Sequence, residues 1–283
     1  MLKGSIVTIL AADENEVNSL AEKLGKKTES NIYYRKIGEL IRSVLAPSPQ
    51  KLLDQAESLS ISSSFYLRIS KFNSLEAELA LMAEASNIQG IILTDDVHTF
   101  NKYFKELSIS KMVSDFKELD VDVQDKGYAY VDRAFNVKGV GVVVLGFALT
   151  QINVHDKLIA LPMKKEVEVK SIQVLDEDQE GVLPGTRIGF ALRNVKLEEI
   201  EGITALIKPG LKMTNKVKFK KFKWAANAQN VHVIAGGFKL MGTIQGDEIV
   251  LNGEIPETVK KGIVINMNAK PKTPRVIGYC YLD

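Results

Sequence analysis

Residues 135–146 read FNVKGVGVVVLG, and the role given to its three glycines decides the fold. Glycine-rich turns cradle phosphate where a strand gives way to a helix and backbone N–H groups meet an anion. Here Gly139, Gly141 and Gly146 are spaced GxGxxxxG, and no helical pattern follows them. The valines between them need a sheet. The stretch therefore reads as two barrel strands joined by a tight turn at Lys138–Gly141, with the glycines serving backbone geometry.

On either side of this hairpin the chain keeps a β pattern. YAYVDRAFNV, DKLIALP, EVEVKSIQVL and TRIGFALRNV are short runs rich in Val, Ile, Phe and Thr, separated by turn signals. That is sandwich or barrel patterning. A second β-rich stretch begins at KVKFKKFKW and includes VHVIAGGF, DEIVLNGEI, GIVINMNAK and RVIGYCYL. Before residue 121 the pattern differs. SIVTILA, NIYYRKI, IRSVLAP, FYLRIS and GIILTD read as strands, and helical spacing lies between several of them. The helices fall at Glu16–Leu24, around KLLDQAESL, at SLEAELALMAEAS and around Phe100–Leu107. The third is strongly amphipathic, with Ser74 as its expected N-cap. Alternating strands and helices imply a mostly parallel sheet with helices on its faces. The 283 residues thus divide into an α/β domain over 1–122 and β-barrels over 127–207 and 212–283.

Composition is that of a soluble globular protein, 45% hydrophobic and 25% charged. No apolar run reaches the roughly 20 residues that span a bilayer. The start, MLKGSIVTIL, reads as a first strand rather than a signal peptide. Cys280 is the single cysteine, which excludes an intrachain disulfide and fits a reducing, cytoplasmic setting. The net charge of +2 is unevenly spread: −4 over residues 1–126, −2 over 127–206 and +8 over 207–283. A polyanionic partner is therefore sought at the last segment.

The α/β domain lacks the residues of a phosphate loop. GxxxxGK[ST] should follow the first strand, but Ala11-Ala12-Asp13-Glu14 stands there, with no glycine, no lysine and two carboxylates. Gly25-Lys26-Lys27-Thr28 follows a helix, and Leu20 occupies the first glycine's place. Thr94-Asp95-Asp96 lacks the Asn and Lys of a guanine-reading NKxD. These absences argue against GTP and Mg²⁺, and no other cofactor is implied. His98, His155 and His232 are widely separated, with no metal-binding spacing, and Ser62-Ser63-Ser64 lacks a GxSxG context. No catalytic set emerges.

YVDRAFNVKGVGVVVLG, NVHDKLIALP and VKSIQVLDEDQEGVLPGTRIGFALRNVKLEEIEG together resemble, in order, the second domain of translational GTPases of the SelB and elongation factor Tu family. That domain carries an FxVxGxGxVVxG strand pair, a GDxL turn and a PGxRVGxxLxGV close. The resemblance covers about 70 residues. It implies a truncated, degenerate GTPase-like domain ahead of two barrels, an arrangement that some archaeal SelB-like proteins share. In the family this second barrel touches the aminoacylated end of tRNA. The matching positions here are Asp132, Arg133, Phe135, Leu145 and Arg187. The Asp-Arg pair with a second Arg is similar to SelB. Leu145 replaces the family's Thr, and Glu201-Gly202 replaces its Arg-Gly, so both depart from the family pattern. A surface ion pair and a turn arginine are the plainer readings of Asp132, Arg133 and Arg187.

In the third domain Lys216, Lys218, Lys220, Lys221 and Lys223 interleave with Val217, Phe219, Phe222 and Trp224. Alternation puts Val217 and Phe219 inside, and Lys220-Lys221 breaks the period, which suggests a bulge. The stretch reads either as a lysine-protected edge strand or as a face that tracks RNA phosphates, extended by Lys260, Lys261, Lys270, Lys272 and Arg275. The expectation is a cytoplasmic, translation-factor-like protein that binds tRNA or the ribosome without hydrolysing GTP. The alternatives are a homologue that still binds GTP at an atypical site and a scaffold that holds another translation factor.

Overall fold

The computed structural model describes residues 1–29 and 31–283. The first domain runs β1 (Lys3–Leu10), α1 (Glu14–Leu24), β2 (Lys26–Glu29), β3 (Ile32–Ile37), β4 (Leu40–Leu45), α2 (Leu52–Ile61), β5 (Ser64–Ile69), α3 (Ser74–Ser86), β6 (Gln89–Thr94) and α4 (Val97–Phe104). Its six strands lie in the order β2-β3-β4-β1-β5-β6. β1, β5 and β6 pair in parallel, and β2 pairs antiparallel with β3. α1 buries Val17, Leu20, Ala21 and Leu24, one face of a 3.6-residue period, in a core with Val7, Ile9, Tyr33, Val44 and Tyr66.

The second domain holds β7 (Tyr128–Val137), β8 (Gly141–Ala148), β9 (Ile152–Asn153), β10 (Lys157–Leu161), β11 (Lys165–Val174), β12 (Glu177–Gln179), β13 (Gly181–Val182), β14 (Arg187–Arg193) and β15 (Ala205–Ile207). The sheet order is β10-β15-β7-β8-β14-β11-β12, and β10 also pairs with β11, which brings the sheet back on itself. FNVKGVGVVVLG is the β7–β8 hairpin. Its turn is closed by Val140 N–H donating to the Val137 carbonyl at 3.1 Å. Gly139 and Gly141 take φ of 83° and 106°, which glycine adopts without a side-chain clash. Val142 and Val144 are buried in the barrel. A bulge interrupts β7 between Val131 and Arg133. There the strands approach so closely that a Cβ on Gly146 would lie 1.8 Å from the Tyr130 carbonyl oxygen.

The third domain is a closed barrel, β16-β19-β18-β17-β20-β21. Its strands are β16 (Met213–Lys221), β17 (Asn230–Ala235), β18 (Phe238–Gln245), β19 (Glu248–Pro256), β20 (Lys261–Ile265) and β21 (Val276–Tyr281). Two sequence expectations are corrected here. β16 is not an edge strand, because closure pairs it with both β19 and β21. Its register shift falls between Thr214 and Lys216, not at Lys220-Lys221. The doubled lysine marks the end of the strand, after which Phe222 is buried against Trp224 and Tyr279. Val217 points inside, while Phe219 is half-buried.

Two helix readings also change. Asn73, not Ser74, caps α3: its side chain accepts from Glu76 N–H, and the Glu76 carboxylate accepts from Asn73 N–H, a reciprocal capping box. α3 is also buried on most of its surface rather than on one stripe, because it packs on β5 and on β20 and β21 of the third barrel. The chain forms two compact units that do not follow its linear order. One comprises Met1–Ile6, Lys36–Ser43 and Asp122–Lys212, and the other comprises Val7–Arg35, Val44–Val121 and Met213–Asp283. No helix among the described residues is long and apolar enough to cross a membrane.

Candidate functional site

The resemblance-derived residues of the second barrel converge on one face of the β7–β8–β14 ribbon. Residues directly opposite in an antiparallel pair share a face, and the register sets Arg133 opposite Leu145, Phe135 opposite Val143, and Arg187 opposite Phe147. Arg187 is buried and donates to Asp132 at 2.5 Å. Its guanidinium carbon lies 5.1 Å from the centre of the Phe147 ring, a cation–π contact. Arg133 Nε reaches the other oxygen of Asp132 at 3.8 Å and keeps its side chain 58% exposed. One carboxylate thus meets two guanidiniums. Phe135 stands 38% exposed on the same face, and Leu145 is half-buried. The β7 bulge positions Asp132 for both arginines, and Phe147 supports Arg187; neither residue's part can be read from strand alternation. The cluster can hold an anion beside an apolar surface, and it contains no nucleophile paired with a base.

The turn after β1 holds an acidic cap. Ala11 is fully buried. Asp13 Oδ1 accepts from the N–H groups of Asn15 at 2.9 Å and Glu16 at 3.3 Å. The N-terminal amides of α1, which in other proteins receive phosphate, are here engaged by a carboxylate of the chain itself. Glu14 and Glu16 add acidic charge in the same helical turn. Further along the sheet, Arg68 pairs with Asp95 and lies 3.6 Å from Glu16. The Asp95 carboxyl is held below the usual carboxylate range by its hydrogen bond to Arg68. Asp96 is the N-cap of α4, bonded to Thr99 N–H at 2.9 Å.

The lysines proposed to meet RNA fall into distinct groups. Lys218 pairs with Asp283, Lys223 pairs with Glu106, and Lys221 donates to Asn227 at 2.5 Å. Lys216, Lys220, Lys270 and Lys272 are exposed. Arg275 has a different role. Its backbone N–H, Nε and Nη2 all donate to Glu78 of α3, at 2.7, 3.0 and 2.6 Å. Glu78 is buried and holds the Arg275 guanidinium charged. Arg275 is thus committed to joining α3 to the third barrel. His98, His155 and His232 lie on separate elements, and no three metal-ligating side chains among the described residues gather to hold an ion.

No protein-family model matches the chain. It is 42% identical over 71 residues to the selenocysteine-specific elongation factor of Methanocaldococcus jannaschii, a match covering 25% of this chain and 15% of that protein. It is 29% identical over 113 residues to an uncharacterized protein of the same organism, covering 38% of this chain and 37% of the other. Elongation factor 1-alpha of Nanoarchaeum equitans is 36% identical over 75 residues, 25% of this chain and 17% of that protein. The matched stretches therefore take up less than two thirds of each of these relatives. Among solved structures, the apo form of translation elongation factor SelB from Methanococcus maripaludis aligns with 100% of this chain and 80% of its own, with a TM-score of 0.75 and 16% identity. A bacterial selenocysteine-specific elongation factor, EF-Sec, aligns with 100% of this chain and 58% of its own, with a TM-score of 0.77 and 16% identity. At that identity the likeness is one of fold.

Proposed function

We propose that this chain, whose fold is that of SelB and elongation factor Tu-like proteins, acts in translation as an RNA-binding factor that does not hydrolyse GTP. Its partner is tRNA or the ribosome, and its place is the cytoplasm. One observation carries the reading: Arg187 and Arg133 converge on Asp132 beside the exposed Phe135, a guanidinium cluster with an apolar neighbour suited to the charged, aminoacylated end of a tRNA. The acidic cap at Asp13 supports the second half of the reading. A triphosphate approaching α1 would meet three carboxylates within one helical turn, and close like charges repel by a few kcal/mol each.

The test has two arms. Filter binding of total tRNA at rising salt should show affinity that falls steeply with ionic strength. Absence of binding at low salt sinks the RNA reading. Calorimetric titration with GTP and Mg²⁺ should give no heat of binding. Micromolar, Mg²⁺-dependent binding would overturn the nucleotide half.

A further inference from the structure

The outer face of the third barrel carries a run of aromatic rings beside its lysines. Tyr279 and Tyr281 lie two residues apart on β21 and so share a face, with ring centroids 6.2 Å apart. Tyr279 meets Phe222 edge-on at 6.3 Å, and Phe222 stacks on Trp224 at 5.5 Å with planes 16° apart. Register sets Lys218 and Lys261 opposite Tyr281 from its two sides, and Lys220 opposite Tyr279. Lys261 Nζ lies over the Tyr279 ring at 5.0 Å, and Lys223 Nζ over the Trp224 ring at 5.8 Å. Beyond Trp224 the strip opens into a mostly apolar groove of about 410 Å³, walled by Phe72, Tyr103, Phe104 and Pro274. Trp224 and Tyr103 are 41% and 64% exposed.

Three kinds of partner can be weighed against this strip. An apolar protein segment would fill the groove and leave the lysines unanswered. Duplex RNA would answer the lysines but not the rings, because its base faces are already stacked on one another. Unpaired nucleotides answer both, with base faces on rings and phosphates on ammonium groups. We propose that this strip binds unpaired RNA, with bases stacked along Tyr281, Tyr279 and Trp224 and one base received in the groove beside Tyr103. The proposal rests on the RNA-binding reading above and adds the form of RNA recognised. Asp283 and Glu106, which pair with Lys218 and Lys223, are exposed, so phosphates displace weak surface pairs. Burial lowers the pKa of the Lys261 ammonium, and Glu84 of α3 lies near enough to oppose that shift.

Trp224 is the only tryptophan, so its fluorescence reports the site directly. An unstructured oligouridine and an RNA duplex of equal length are titrated separately against the full chain, with total tRNA as a third ligand. The oligouridine should quench Trp224 and bind about tenfold or more tightly than the duplex. Trp224→Leu with Tyr103→Ser, followed by anisotropy of labelled oligouridine, should weaken binding about tenfold, while Trp224→Phe, which keeps a stacking ring, retains most of it. Equal binding of duplex and oligouridine overturns the proposal, as does unchanged oligouridine affinity in the double variant. If total tRNA binds and oligouridine does not, the proposal fails and the broader reading stands. If neither binds, both fail.

Discussion

Among single residues, Arg187 is the most constrained of the candidate site. It is buried, held by Asp132 at 2.5 Å and laid over Phe147. Asp132→Ala would leave a buried guanidinium with a lost partner, and should lower stability by about 1–3 kcal/mol. Adding Arg187→Met should recover part of that loss, since an apolar chain can fill the space over Phe147. Denaturation midpoints of the two single variants and the double variant check this; a double-variant loss equal to the sum of the single losses would mean that the pair is not coupled. Cys280 gives a second expectation. It is buried in the third barrel, and burial pushes its thiol up to about 12, so at neutral pH it stays a protonated, shielded group. A thiol reagent should be inert toward the native protein and react once in denaturant. Rapid native labelling would mean that the barrel opens readily. The sequence motif points to Asp132, Arg133 and Arg187 as a group. It offers no sign of Phe147 beneath them, because the contact depends on register between strands far apart in the chain.

Among elements, α3 shows what local pattern reveals and what it misses. The turn ahead of it, Ser70 to Asn73, directs three backbone N–H groups at the Glu76 carboxylate, from Ser70 at 2.8 Å, Lys71 at 3.0 Å and Asn73 at 3.2 Å. Glu76 is buried, so losing these acceptors leaves amides without partners. Glu76→Ala should cost about 1–3 kcal/mol, and Glu76→Gln less. Hydrogen exchange read residue by residue should speed up at Ser70, Lys71 and Asn73. Unchanged protection there would mean that the turn is held by other contacts. The Asn73-x-x-Glu76 spacing of a capping box is present in the sequence, so the true cap was legible even though Ser74 is also a good capping residue. The burial of α3 on most sides was not legible. A helical wheel cannot anticipate β20, β21 and Arg275, which lie about 180 to 200 residues later. β16 repeats the lesson. Its lysine alternation is legible, but its two neighbours are not, and they turn an expected edge into a wall of a closed barrel.

For the whole molecule, binding to RNA should follow the uneven charge of the chain. Lys216→Glu with Lys220→Glu removes two exposed positive charges from β16. The double variant should weaken tRNA binding and flatten the dependence of log affinity on log salt by about one unit or more. An unchanged slope would place the phosphate contacts elsewhere. The succession of an α/β pattern and two β patterns is legible from periodicity, but the grouping of segments into units is not, because it depends on contacts across the length of the chain. In one unit Leu183 N–H donates to the Leu2 carbonyl and Gly4 N–H to the Pro184 carbonyl, each at 3.0 Å. Leu2 and Gly4 are thus completed by residues translated about 180 positions later. At about 5–20 residues per second, these two residues wait on the order of ten to forty seconds for their partners to be synthesised. The β1 segment is therefore finished in two stages: Val7–Leu10 pair with Ser64–Leu67 of β5 early, and Leu2 and Gly4 gain their partners only once Leu183 and Pro184 have been made.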